Sequence, residues 1–171
     1  PRDLVYHLGD FAFVHSKKSA RVKEIGRLVD RLNGKIHLVK GNHDSMRVVK
    51  HAGFHEVHPF GFELTIPGTR DKITLCHYAL KIWNKSHHGS WHLYGHSHGS
   101  LPDDPNSLSF DVGVDSWDYT PVSLEDVRLV MEGRLAVPVA TDPANGNCPY
   151  HYKSTMPVQI DHHRTRKGKK K

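Results

Sequence analysis

Cysteine is scarce, long apolar runs are missing and internal repeats are absent, and each shortage removes a class of protein. Only Cys76 and Cys148 occur in 171 residues, and neither belongs to a C-x-x-C pair. This argues against a disulfide framework and makes a reducing cytoplasm the expected setting. No apolar stretch approaches the roughly 18 residues that span a bilayer, so no membrane partner is expected. No signal-peptide pattern opens the chain. It begins at Pro1 rather than Met and runs almost at once into Leu4-Val5-Tyr6, so the natural N-terminus is expected to lie further upstream. The length suits one domain with a real core.

Charge is unevenly placed. Of the net +6, residues 161–171 carry +5, from Arg164, Arg166, Lys167, Lys169, Lys170 and Lys171 against Asp161. The remainder is nearly neutral, so basicity is a property of the tail. Such a block is a solvated end or a weak contact for nucleic acid and other anionic surfaces. Pro, Asn, Gly and Lys dominate after about Ala140. The expected organisation is therefore a domain over 1–140 and a tail over 141–171. What is abundant is histidine: 16 residues against 18 acids. Histidine is the commonest protein metal ligand, but composition alone does not say which of the 16 would serve.

Periodicity supplies the elements. Strands are expected at Asp3–Leu8, Lys35–Lys40, Phe54–Val57, Phe62–Ile66, Lys72–Cys76, Ser90–Tyr94 and Ser107–Val114. A helix is expected over Lys17–Leu32, with Val22, Ile25, Leu28, Val29 and Leu32 as one stripe. Shorter helices are expected over Ser45–Ala52 and from Ser123, as N-cap, to Gly133 as the stop. Strand–helix–strand units followed by hairpin-like strands predict an α/β domain with more than one sheet.

Four apolar strands run into polar side chains, three of them through glycine: Gly9-Asp10, Gly41-Asn42-His43, His77 and Gly95-His96-Ser97-His98. Glycine permits the sharp turn and close approach that a ligand loop needs. Loops beyond the carboxyl ends of strands are where open α/β sheets build their sites. A carboxylate can bridge two cations. Imidazole suits Zn, Fe or Ni, and oxygen ligands suit harder ions such as Mn. No cysteine stands at a ligand position, as a closed structural zinc site would require. Two metal ions about 3.5–4 Å apart can activate water and clamp the oxygens of a phosphate ester. Taken singly, each segment is an ordinary turn or a half-buried histidine. The ordered conjunction carries the reading.

These residues resemble the calcineurin-like metallophosphoesterases, small bacterial and phage members above all. That family's pattern is D-x-H, G-D, G-N-H-[DE], H and G-H-x-H, matched here from about residue 3 to 135. The resemblance implies an αββα sandwich of two mixed β-sheets flanked by helices, with the first strand missing. It implies two divalent metal ions (Mn, Fe, Zn or Ni). Asp10 would bridge them, Asn42, His77 and His96 would complete one site, and His98 would bind the other ion. His43 would protonate the leaving alkoxide. The implied activity is hydrolysis of a phosphate mono- or diester, with nucleotides among the candidate substrates, through a metal-bridged hydroxide. Two features depart from the pattern. No Asp-x-His precedes Gly9, so the His98 ion should be weakly held and the chain half-occupied or impaired. No carboxylate follows Asp10 closely to orient His43. The alternatives are a metal- or phosphate-binding fragment without turnover and a nucleic-acid-associated protein acting through its tail. His87, His88 and His92 read as a polar loop plus a strand histidine, and Trp83, Trp91 and Trp117 read as core.

Overall fold

Parallel strands need a crossover of a dozen or more residues, and the spacing of the first three apolar runs supplies two. The computed structural model describes residues 3–135, so Cys148, the expected 141–171 tail and the last residues of the expected 1–140 domain lie outside the described residues. Strands β1 (Leu4–His7), β2 (Lys35–Val39) and β3 (Glu56–His58) form one sheet in the order β1-β2-β3. Both pairings are parallel, joined through helices α1 (Lys18–Val29) and α2 (Met46–Val49). This sheet is therefore purely parallel among the described residues, where mixed sheets were expected. Each return passes through a helix, so no hairpin can reverse a strand.

The second sheet is mixed. β4 (Gly61–Thr65) and β5 (Lys72–Cys76) pair antiparallel across a short turn. β6 (Trp91–Tyr94) and β7 (Ser109–Asp111) then add in parallel. The α/β class and the pair of helix-flanked sheets agree with the sequence reading.

Burial follows the side-chain alternation. On one side of the first sheet, Ile36 packs with Ile25, Val29, Val48 and Ala52. On the other, Val39 joins Ile73, Leu75, Leu93, Phe110 and the helix residue Met131. The α1 stripe is narrower than expected, because Leu28 and Leu32 are exposed and only Val22, Ile25 and Val29 face the core. Leu28 lies on the flank of the stripe, and Leu32 falls beyond the last helical turn. Gly26 meets the Ala52 carbonyl, with a Cβ position 3.4 Å away, where α1 crosses α2. Trp91 is buried in the core and Trp117 packs against it, whereas Trp83 is half-buried outside both core clusters; the Trp83 and Trp117 indoles donate to the carbonyls of Ser90 and Asp111.

Helix α3 (Leu124–Leu135) is capped reciprocally. The Asp126 amide donates to Ser123 Oγ at 3.1 Å, and the Ser123 amide donates back to Asp126 Oδ2 at 3.0 Å, a capping box closed by aspartate. At its far end Arg134 donates to the carbonyls of Ser107 and Ser109 and forks onto Asp103. The helix therefore continues two residues past Gly133, which the sequence marked as its stop, because Arg134 anchors its end to the Ser107 and Ser109 carbonyls. Nothing lies within 4 Å of a Cβ placed on Gly133. Gly133→Ala should then stabilise the protein by about 0.5–1 kcal/mol, chiefly by restricting the unfolded chain. Urea unfolding checks this, and a destabilisation would contradict the helical placement.

Candidate metal centre

The strand polarities decide where the site lies. β1 and β2 run parallel, as do β5 and β6, so four carboxyl ends open at two sheet edges. Asp10 and Asn42 follow β1 and β2, and His77 and His96 follow β5 and β6. The Gly95 amide donates to the His77 carbonyl at 3.2 Å, which keeps the last two loops adjacent.

Glycine is required where the first two loops touch. A Cβ on Gly9 (φ +97°) would fall 2.5 Å from the Gly41 nitrogen and 2.6 Å from His77 Nδ1. A Cβ on Gly41 would collide with the Asp10 carboxylate. The site also holds strained backbone: Asp10, His96 and His98 have φ of 53°, 63° and 48°. Left-handed conformations in non-glycine residues concentrate where surrounding structure enforces them, often at functional sites.

His77 is the pivot. It is buried, and its Nδ1 donates to the Leu8 carbonyl at 2.7 Å. A carbonyl only accepts, so the neutral ring turns an Nε2 lone pair into the site. Around that nitrogen stand Asn42 Oδ1 at 3.0 Å, His96 Nδ1 at 3.1 Å and Asp10 Oδ2 at 3.3 Å. Asp10, His77 and His96 form a group whose ligand atoms all lie within 4.8 Å of one another. These atoms meet at hydrogen-bond distances, and the same four can turn lone pairs toward a shared cation. Bonds of about 2.1 Å in octahedral or tetrahedral geometry separate neighbouring donors by roughly 3.0–3.4 Å. The spacing therefore fits a divalent ion held by a mixed N/O set.

Asp44, which the sequence reading left without a role, holds the loops in place. Its buried carboxylate accepts the amides of Asp10 at 2.8 Å, Phe11 at 3.1 Å and Gly41 at 2.9 Å. Behind β1, His7 Nδ1 accepts the Gly9 amide at 3.2 Å, and burial lowers the pKa of this ring below the usual histidine value. His43 lies exposed beside the centre. Its amide donates to Asp10 Oδ1 at 2.8 Å, and its ring rests on Phe13 with centroids 4.8 Å apart. No carboxylate orients the His43 ring among the described contacts. A cleft of about 90 Å³ opens beside it, lined by Phe13, His15, Arg21 and Ser45 among others.

His98 does not join the group around Asp10. It is exposed and pairs closely with Asp115. Asp111 shapes the loop beneath it, accepting from Ser97 Oγ at 2.7 Å and the Gly99 amide at 3.3 Å. His87 and His88 form an exposed turn and do not join the group around Asp10. His92 is structural: buried in β6, it donates to the Thr74 carbonyl and accepts the Leu80 amide, both at 3.0 Å.

No protein-family model matches the chain. It is 30% identical over 144 residues to uncharacterized protein MJ1445 of Methanocaldococcus jannaschii, covering 78% of this chain and 69% of that protein. The chain belongs to the same family as MJ1445. The crystal structure of AQ665 from Aquifex aeolicus, a protein of unknown function, aligns with a TM-score of 0.54 at 22% identity, over 75% of this chain and 76% of that one. The likeness to AQ665 is one of fold. No helix among the described residues is long and apolar enough to cross a membrane.

Two tests follow from this geometry. Asp44→Ala strands three loop amides and should cost about 3 kcal/mol or more of stability. A loss below about 1 kcal/mol in urea unfolding would contradict the clamp. The Asp115 hydrogen bond, and then its charge, raise the His98 pKa above 6.5. Because the folded value is the higher one, the pair's contribution is present in full below the unfolded pKa and fades as pH rises through the folded one. Asp115→Asn should lower the His98 midpoint in an NMR titration, and an unchanged midpoint would contradict the pairing.

Proposed function

We propose that this protein is a metal-dependent phosphoesterase, hydrolysing a phosphate mono- or diester. The observation that carries the reading is the convergence of Asp10 Oδ2, Asn42 Oδ1 and His96 Nδ1 on His77 Nε2, at 3.0–3.3 Å. The order of the ligand segments, which resembles that of the calcineurin-like metallophosphoesterases, supports it. Divalent ions in such a centre supply Lewis acidity toward phosphoryl oxygens and an activated water at neutral pH.

The residues of the chain do the rest. The Leu8 carbonyl fixes the His77 tautomer, so that this ring binds rather than donates. Asp44 holds the Asp10 and Gly41 loops in register. Asp10 receives the His43 amide on one oxygen and leaves the other to the centre. His43, exposed at the rim, gives a proton to the departing oxygen of the ester. The cleft beside it, with Phe13 and Arg21 in its wall, takes the ester's organic group.

A second reading has one observation in its favour. His98 is engaged by Asp115 rather than gathered toward Asp10. A protein that holds a single ion and binds phosphate without turning it over would look the same. Both readings meet in one experiment on the full chain: hydrolysis of bis-p-nitrophenyl phosphate and p-nitrophenyl phosphate with added Mn(II). The phosphoesterase reading expects turnover that chelation abolishes, that His43→Asn lowers by about 10²–10⁴-fold in kcat, and that Asp10→Asn removes with the metal. Turnover that survives both substitutions would overturn the mechanism. Metal binding with no turnover would establish the single-ion reading.

A further inference from the structure

A second cluster of ligating side chains lies away from the centre and shares no residue with it. The register places it. His37 on β2 pairs with Glu56 on β3, so the two side chains project from the same face of the sheet. His58 lies two residues beyond Glu56 and returns to that face. The segment Glu56-Val57-His58 thus presents a carboxylate and an imidazole together, directly beside a third ligand from the neighbouring strand.

The two imidazoles share one long hydrogen bond, and the set is otherwise spaced as ligands around an ion. His37 Nδ1 is 3.4 Å from His58 Nε2 and 3.5 Å from Glu56 Oε2, and His58 Nε2 is 3.8 Å from the same oxygen. Charge-assisted N–H···O contacts close to about 2.7–2.9 Å, so neither ring has closed on the carboxylate. Tetrahedral donors at about 2.0–2.1 Å from a zinc ion stand roughly 3.4 Å apart. Both imidazoles are 7% exposed, which fixes them, whereas the Glu56 side chain is 58% exposed and leaves a path from solvent. Aromatic rings brace the set: Phe62 lies 4.1 Å from the His58 ring, Tyr6 lies 4.9 Å from the His37 ring, and the two imidazoles are within 6° of parallel.

We propose that His37, Glu56 and His58 form a second metal site, which takes one divalent ion of the first transition row, zinc above all. Two neutral imidazoles and one carboxylate suit that class, and the hard alkaline-earth ions prefer all-oxygen sets. Three protein ligands leave the remaining coordination to water, reached past Glu56. The ion would lock β3 to β2 just before the chain crosses through Phe60 and Gly61 into the second sheet. Its role is to pin the edge strand β3 within the first sheet, and no chemistry is assigned to it.

The test counts zinc in the full chain by equilibrium dialysis and elemental analysis, with circular dichroism to confirm folding. In an Asp10→Asn/His77→Asn background, which empties the first centre, one equivalent of zinc should remain. Adding Glu56→Ala should remove it, and in the otherwise unaltered chain Glu56→Ala should lower the zinc content by one equivalent. Glu56 is exposed, so this substitution leaves folding intact, and His58→Gln provides a second route to the same loss. Zinc held adventitiously by other histidines would not respond to either change. A folded Asp10→Asn/His77→Asn chain without zinc, or a content indifferent to both Glu56→Ala and His58→Gln, would overturn the proposal. Failure of the first centre reads differently: there Asp10→Asn/His77→Asn changes nothing while Glu56→Ala still removes one equivalent.

Discussion

The carboxylate of Asp44 accepts amides from Asp10, Phe11 and Gly41, and the geometry of the candidate metal centre depends on that contact. Two loops leave neighbouring strands, and neither has a regular backbone partner at its turn. One buried carboxylate satisfies three of their amides at 2.8–3.1 Å. The loops can then approach until Gly9 and Gly41 are nearly in contact, which admits no Cβ at either position. The reward of this crowding is geometric, since Asp10 is turned into a left-handed conformation that aims its carboxylate at His77.

The second constraint is sheet polarity. Parallel pairing of β1 with β2, and of β5 with β6, sends four loop-bearing ends to one region without any long excursion. His77 then links the two sheets directly, because its Nδ1 donates to the Leu8 carbonyl of the β1 loop. The same hydrogen bond that ties sheet to sheet also selects the tautomer that leaves Nε2 free to bind. Folding and ligand readiness therefore rest on shared contacts, and the centre should be among the last regions to tolerate substitution.

Much of this was legible in the sequence, because the ligand segments are local signals. A glycine and a polar residue at the end of an apolar run mark a strand end wherever the strand goes, and Asp10, Asn42, His77 and His96 came together as that pattern implied. What escaped was set by register and tertiary contact. Asp44 was left without a role, since its three partners include two from a loop more than thirty positions away. Asp115 gave no hint that it would engage His98. Gly133 carried a stop signal that Arg134 overrides through its hold on β7. His37, Glu56 and His58 remained dispersed until the pairing of β2 with β3 aligned them, although the alternation in Glu56-Val57-His58 could have flagged two of the three.

The central claim is that His77 Nε2 and its three neighbours surround a cation. Crystals of the full chain grown with zinc or manganese, with anomalous diffraction recorded at the metal edge, test it most directly. The account predicts an anomalous peak bonded to Asp10, Asn42, His77 and His96 at roughly 2.0–2.2 Å. Clear density for those four side chains with no anomalous peak among them would contradict it.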